Sequence, residues 1–499
     1  MAKSISASML YNYVQCPHRV YMDVYEDPAK KDPESAFMRI LWEMGTLFED
    51  EVVRSLEIPF TDFKGKPGAD RELLTREAME RGDSLIYGGR IRAGNLIGDP
   101  DLLRIKEKGY VAGDIKSGSG AEGGSDLSEG RPKKHYVVQV GLYTDILERR
   151  GISAGRTPFI WDVHGNEVTY DLAAPLGAKN SNTLWKFYED CLSDVEGILN
   201  RGKSTTPAWA STCKLCHWRS VCLAKLKELD DLTLIPYLGR SKRDAMLGRI
   251  NTVSELASLD ITEFTDGNGT LFPRLGADKL KDFHLRARLQ KERNAKPFIK
   301  KPLQLPSAAC ELFFDIETDP MRDICYLHGF VERFHRDRGT ERYVLFFADE
   351  PTEEGERDVF SRALEYVQEH PGSVIYFYSK YERTWWLKLQ ERYPGVATRE
   401  EVEAIFEPRR AVDLYSDVVL PCTDWPTLDY SIKSLAKYLG FRWRDTHPSG
   451  AESIEWYHNW VSSGDESIKH RILEYNEDDC IAMRVLLDAL RDIHERESG

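Results

Sequence analysis

The stretch that most constrains this chain is residues 310–319, CELFFDIETD, an apolar run with two acids set into its second half. It reads as a buried strand. Side chains at i and i+2 of a strand share a face, so Asp315 and Glu317 project together next to an apolar core. Isolated carboxylates are costly there, and a bound metal ion is a common way to offset that cost. YVLFFA (343–348) and VIYFYS (374–379) read as further buried strands, and residues 431–441 and 474–495 as helices. Strands alternating with helices imply an α/β domain over residues 301–499.

The second half also supplies partners for those acids. Tyr475 and Asp479 lie at i and i+4 on one face of the 474–495 helix. There Asp479 can add a metal ligand and Tyr475 can orient an attacking water. Glu382 follows the 374–379 strand as a further acid, and Asp413 in the Val-Asp-Leu-Tyr strand is its rival for the fourth ligand position.

A second constellation lies between residues 45 and 143. Asp101 ends a Gly-Asp-Pro-Asp turn and opens a short strand, and Asp114-Ile115-Lys116 follows on the next one. Two carboxylates can hold a hard divalent ion through oxygen, and the ion activates water and stabilises charge on a phosphodiester. Lys116, on the same strand face as Asp114, can orient the water or offset the developing charge. Gln139 and Tyr143 share one face of a helix expected over 137–148, where they can hold substrate or Lys116. Residues up to 228 otherwise read as mixed α/β, with helices over 8–25 and 37–56 and strands within 96–105 and 110–117. The Gly/Ser-rich loop 117–130 is either a mobile flank of a substrate channel or a tolerated surface insertion.

Nine cysteines in so long a chain do not suggest a disulfide framework. Cys213, Cys216 and Cys222 crowd into ten residues, with Cys16 far upstream. Two paired Cys-x2-Cys knuckles would suggest tetrahedral zinc; this one-plus-three spacing does not fit that template. Cys191, Cys310, Cys325, Cys422 and Cys480 read as small buried hydrophobes.

Residues 229–300 read as short helices with glycine turns, closing on a Pro/Lys linker at 296–307. The whole chain carries −14, which argues against nonspecific coating of nucleic acid. Residues 240–301 run the other way, with 14 Lys and Arg against 8 Asp and Glu. That basic stretch is either a nucleic-acid grip or a solvated helical surface. No run is apolar and long enough for a membrane span and no signal peptide is evident, so a cytoplasmic protein is expected.

Taken together, Asp101, Asp114, Lys116, Gln139, Tyr143 and the four cysteines resemble the RecB-type branch of the PD-(D/E)xK nucleases. That family often carries Gly-x-x-x-His upstream; here the stretch is Gly45-Thr-Leu-Phe-Glu49, with Glu49 in the histidine's place. Glutamate can ligate the same metal, so activity is expected to persist. The resemblance implies that Cys16, Cys213, Cys216 and Cys222 hold a [4Fe–4S] cluster that staples the ends of the domain. Residues 235–260 and 271–290 resemble helix-hairpin-helix modules, with Gly239 and Gly276 at the turns that receive a DNA phosphate; a purely structural helical linker fits equally. Residues 305–495 resemble DEDD-type exonucleases on an RNase H-like fold, in the variant that uses Tyr. That resemblance implies a two-metal site at Asp315, Glu317, Glu382 and Asp479.

The expectation is therefore a three-part α/β chain: a restriction-endonuclease-like domain (1–228), a helical segment (229–300) and an RNase H-like domain (301–499). It would use Mg²⁺ or Mn²⁺ to hydrolyse DNA ends or single strands, with RNA as the alternative substrate. A nucleic-acid-binding scaffold with a decayed site is the reading that off-pattern Glu49 and Glu382 favour. No Walker A pattern is present, so any helicase is expected to be a separate partner.

Overall fold

The computed structural model describes residues 3–34, 36–107, 109–122, 130–177, 180–446 and 449–498. It divides into two compact units. The first comprises residues 1–34, 38–207 and 211–223, and the second 35–37, 208–210 and 224–499. Among the described residues, no helix is long and apolar enough to cross a membrane.

The first unit is built on a six-stranded sheet of β1 (Thr61–Asp62), β2 (Leu85–Tyr87), β3 (Leu102–Lys106), β4 (Gly109–Ile115), β5 (Phe159–Trp161) and β6 (Glu167–Thr169), adjacent in that order. β1 with β2 and β4 with β5 pair in parallel; the other neighbours are antiparallel. The 96–105 run expected to form strand is broken by the Gly98–Asp101 turn into Leu96–Gly98 and β3. β4 is buried along its length and divides its side chains between two cores. Val111 and Ile115 pack with Val52, Leu85 and Phe159 on one face. Tyr110 and Ala112 join the main core on the other, with Val138 and Leu142 of α4 (Lys134–Arg149). Each such fully buried apolar side chain contributes about 1.5–3 kcal/mol.

The N-terminal helix expected over 8–25 is two helices, α1 (Ala7–Gln15) and α2 (Pro17–Tyr25). Cys16 sits between them in extended conformation (φ −162°, ψ 111°). Pro17 is the reason: it disfavours helical geometry at the preceding residue but suits the first position of a new helix. α3 (Ala36–Ser55) falls where expected. Residues 123–129 of the Gly/Ser-rich loop lie outside the described residues, so its expected role as a channel flank is not placed.

The second unit contains a five-stranded mixed sheet. Its strands are β7 (Cys310–Asp319), β8 (Ile324–Phe334), β9 (Arg342–Phe347), β10 (Val374–Phe377) and β11 (Ala411–Asp413), in spatial order β9-β8-β7-β10-β11. β9, β8 and β7 pair antiparallel; β7, β10 and β11 pair in parallel. Leu312, Phe314 and Ile316 of β7 face a core with Phe360 and Trp386. Phe313 faces the opposite core, with Cys480, Met483 and Leu487 of the 33-residue helix α5 (Glu466–Ser498). A network of buried charges ties that helix to the sheet. Arg333, 1% exposed, bonds Glu311 (2.7 Å) and Asp488 (2.9 Å), and Arg491 bonds Glu311 (2.6 Å).

The stretch 296–307, expected as a Pro/Lys linker, is partly packed. Phe298–Ile299 pairs with Thr423–Asp424, and Leu303 is buried in the core beneath α5. Between the units' two sheets in sequence lie the helices Gly239–Met246, Val253–Ser258 and Ala277–Lys291. Gly239 adopts φ +69°, a conformation that favours glycine. Gly276 does not; it is an ordinary extended N-cap (φ −79°). A two-stranded hairpin (265–266 with 269–270), not a helix, precedes it. That hairpin lies upstream of residues 271–290, within which Gly276 directly precedes the helix Ala277–Lys291.

Candidate active sites

Both candidate sites follow from one structural device: a buried strand whose apolar face continues into acids, crossed by a helix that brings further polar groups. In the second unit, Phe313, Asp315 and Glu317 share a face of β7 by the two-residue period. α5 lies over that face, and i, i+4 spacing presents Tyr475 and Asp479 together. Among the described residues, three carboxylates with oxygens all within 4.8 Å of one another occur once, at Asp315, Glu317 and Asp479.

Each of these acids is held. Asn476 donates to Asp315 Oδ2 (2.8 Å) and accepts at Oδ1 from the Tyr343 hydroxyl (2.9 Å). Gly329 makes room for this arrangement, since a Cβ there would overlap Asn476 Oδ1. Ser453, on the helix Gly450–Ser463, donates to Glu317 Oε2 (2.6 Å). Trp443 Nε1 donates to Asp479 Oδ1 (2.7 Å), and Lys433 lies 3.7 Å from Asp479 Oδ2 and bonds the Tyr475 hydroxyl.

Glu382 lies in the first turn of the helix Tyr381–Arg392 and is buried, with Oε2 lacking a hydrogen-bond partner. Asp413, at the end of β11, spends Oδ1 on the backbone N–H groups of Ser379, Tyr415 and Ser416, while its Oδ2 is also buried without a partner. Asp413 thereby caps a π-helical turn, Leu414–Val419. Each rival keeps one buried oxygen without a partner: Glu382 feels the charges of Asp413, Asp479 and Glu317, while Asp413 spends its other oxygen on three backbone N–H groups.

Crowding so many acids in a desolvated place opposes their ionisation. Burial, then Asp479 and Glu317, push Asp315 well above the usual carboxylate range. Burial and Asp479 push Glu317 up to about 8. Burial, Asp413 and Asp479 push Glu382 well up, against one backbone hydrogen bond that lowers it. The Tyr475 hydroxyl is raised by burial and by Asp479, so it remains a proton donor at neutral pH.

A stability consequence follows for metal-free protein. Above about pH 4.5 an unfolded chain has released the Glu317 proton, while the folded protein holds it until about pH 8. The folded state then binds more protons, so stability falls as pH rises across that window. Denaturant midpoints in a chelator at pH 5 and pH 8 should differ more in wild type than in Glu317→Gln. Equal differences in the two proteins would contradict the assignment.

In the first unit, Tyr110, Ala112 and Asp114 share the face of β4 that α4 covers, and Lys116 follows just beyond the strand. Lys116 Nζ lies 2.8 Å from Asp114 Oδ2. Asp101 Oδ2 accepts from the Ile115 N–H (2.8 Å). Burial, then Asp114 and Glu49, push Asp101 up to about 8, with Lys116 opposing. Burial alone would lower Lys116, but Asp114 and Asp101 outweigh it and hold the ammonium charged. On α4, Gln139 Oε1 is buried without a hydrogen-bond partner, and the Tyr143 hydroxyl donates to the Asp99 carbonyl (3.4 Å). Burial and Asp114 raise the Tyr143 hydroxyl, so it too stays protonated. Glu49, on α3, accepts from the Tyr87 hydroxyl (3.0 Å) and from Lys64.

The four cysteines of the expected cluster lie in segments that the fold brings together. Cys16 separates α1 from α2. Cys213 lies in the short turn Ser211–Leu215, and Cys222 in the helix Arg219–Glu228. The Asp32 N–H donates to the His217 carbonyl (2.7 Å), and the Ser220 N–H to Asp32 Oδ2 (2.9 Å). Asp23 Oδ1 takes Trp218 Nε1 (2.9 Å) and lies 2.8 Å from His217 Nε2. Burial raises the Cys216 thiol, and Cys16 adds to the rise. No disulfide joins any of the nine cysteines.

Sequence reasoning missed Lys433, Trp443, Ser453 and Tyr343. They reach the acids or their partners from positions far away in sequence, and no local pattern marks them.

Residues 312–491 match a family model of the RNase_H superfamily, and residues 53–223 match one of the PD-(D/E)XK nuclease superfamily. The chain thus joins a PD-(D/E)XK nuclease superfamily domain to a C-terminal RNase_H superfamily domain. The matches span Asp101 to Tyr143 in one domain and Asp315 to Asp479 in the other; Cys16 and Glu49 fall outside both. A search of curated proteins returned no match.

Proposed function

We propose that this chain is a divalent-metal-dependent nuclease that hydrolyses DNA at ends or in single strands. It would use two separate sites, in repair, recombination or defence. The observation that carries this reading is the Asp315–Glu317–Asp479 triad, three carboxylates within 4.8 Å, beside the unpartnered Glu382 oxygen. Four raised or crowded acids fit Mg²⁺ or Mn²⁺, which prefer oxygen ligands. Such ions, when bound, supply activation of water and stabilisation of charge on the phosphoryl group. The protein's own part is to orient. The Tyr475 hydroxyl, steadied by Lys433, positions the attacking water, and Asn476 and Ser453 fix the Asp315 and Glu317 carboxylates.

In the first unit, Asp101 and Asp114 would hold the metal with Glu49, Lys116 would orient water, and Gln139 and Tyr143 would meet substrate. One observation favours a second reading for this site: Glu49 is taken up by Tyr87 and Lys64, which suits a binding surface that has lost its chemistry. RNA is the alternative substrate of the C-terminal site. Incubating end-labelled single-stranded DNA, duplex DNA and RNA with Mg²⁺ or Mn²⁺ separates these readings. Cleavage supports the nuclease. Tight DNA binding with no cleavage of any substrate supports the scaffold.

Cys16, Cys213, Cys216 and Cys222 would hold a [4Fe–4S] cluster, whose contribution is structural, closing the domain on itself. Four thiols with Cys16 sensed at Cys216 suit such a ligand set. Anaerobically purified protein is expected to absorb near about 400 nm, a property of the cofactor. Stoichiometric zinc without iron would contradict it.

A further inference from the structure

A cleft of about 590 Å³ lies within the second unit, away from the acids in sequence and lined by a different kind of residue. Five cations line it: Lys242, Lys279, Arg286, Lys300 and Lys301, against one carboxylate, Asp282. Buried Asp424 behind the wall takes two of them, bonding Arg286 (2.7 Å) and Lys300 (3.1 Å). Lys279 is exposed and only loosely paired with Asp282 (3.3 Å). Lys242 reaches the backbone carbonyls of Tyr237 and Leu238 and lies over the Phe283 ring (5.8 Å), with no carboxylate partner among the described residues. Unneutralised ammonium groups around a cleft repel one another unless an anion is to come between them.

The cleft also offers aromatic surface. Tyr237 is 43% exposed, its ring braced edge-on by Tyr430 (5.5 Å), and its backbone is held at φ +66°. Its hydroxyl meets that of Tyr415 (3.1 Å), whose ring lies 5.5 Å from Tyr378. Ser416 lines the cleft, and its N–H and that of Tyr415 are the groups capped by Asp413. One wall of the cleft is therefore continuous, along the chain, with Asp413, whose charge is felt at Glu382.

We infer that this cleft is a binding site for single-stranded DNA, its lysines receiving phosphates and Tyr237 providing a platform on which a base stacks. Cationic grooves with aromatic platforms are how proteins hold single strands without reading sequence. The inference deepens the nuclease reading and rests on it for its role: the cleft holds the strand whose end is cut at the Asp315 site. It does not depend on the glycine turns.

The test uses the full chain, a fluorescein-labelled oligothymidylate of about 20 nucleotides, long enough for a groove of this kind, in chelator, and fluorescence anisotropy across a salt series. Lys242→Gln/Lys301→Gln is expected to weaken binding at least about tenfold. It should also reduce the slope of log affinity against log salt by about 1.4, which is about 0.7 for each phosphate no longer neutralised. Tyr237→Leu should weaken binding while leaving the slope unchanged. Affinity and slope unchanged in the double lysine variant, with thermal unfolding also unchanged, would overturn the inference. A p-nitrophenyl ester of thymidine monophosphate, which has no second phosphate or neighbouring base to engage the cleft, separates the two claims. Its metal-dependent hydrolysis should be equal in wild type and the lysine variant. If wild type fails to cleave it and every oligonucleotide, the nuclease reading falls while the anisotropy still decides the cleft.

Discussion

Asp315→Asn is expected to lower metal-dependent cleavage by the C-terminal site at least about a thousandfold while leaving the fold intact. A metal ion contributes several kcal/mol of transition-state stabilisation, and each factor of ten in rate is about 1.4 kcal/mol. Asp315 is bonded by Asn476 and raised by burial first, then by Asp479, Glu317 and Glu382. Asparagine keeps the shape and can still pair with Asn476, but it removes the charge that would draw in a cation. The same change relieves repulsion, so metal-free Asp315→Asn should unfold at a higher temperature than metal-free wild type at about pH 8, where Glu317 begins to ionise. A variant that loses activity and stability together would point instead to a structural role. Steady-state cleavage of a labelled strand, paired with thermal unfolding in chelator, reads both effects.

Lys116→Ala is expected to lower cleavage by the N-terminal site about 10²–10³-fold, the range for loss of one preorganised group that stabilises developing charge. Its charge is secured by Asp114 at 2.8 Å and by Asp101, so it is an ammonium throughout the working pH range. The variant leaves Asp114, 2% exposed, beside Asp101 without a cation. It should therefore also lose stability, and Lys116→Arg should recover stability better than it recovers activity. Loss of all cleavage in Asp315→Asn, with full activity in Lys116→Ala, would support the decayed-site reading for this unit.

Both acid strands were legible because local chemistry wrote them. CELFFDIETD is a strand over the expected residues, and the two-residue period places Asp315 and Glu317 on one face as read. Helix periodicity likewise placed Tyr475 with Asp479 and Gln139 with Tyr143. What escaped the reading depends on distant partners. β8 carries His328, Gly329, Glu332 and Arg333 in its second half and looks polar. It is buried because Arg333 pairs with Glu311 and Asp488, and Gly329 accommodates Asn476. The 296–307 segment looks like a linker until Phe298–Ile299 finds Thr423–Asp424, far along the chain. Spacing leaves Glu382 and Asp413 as rivals because it does not show the three backbone N–H groups that Asp413 accepts from or the buried unpartnered oxygen that each acid keeps.

The central claim is that each unit carries its own metal-dependent hydrolytic site. It is tested most directly by comparing wild type, Lys116→Ala, Asp315→Asn and the double variant on end-labelled single-stranded DNA, duplex DNA and RNA with Mg²⁺ or Mn²⁺. The account predicts that each single variant loses a distinct activity and that the double variant is inert. A double variant that cuts as wild type does, or a wild type that cuts none of the three substrates, would contradict it.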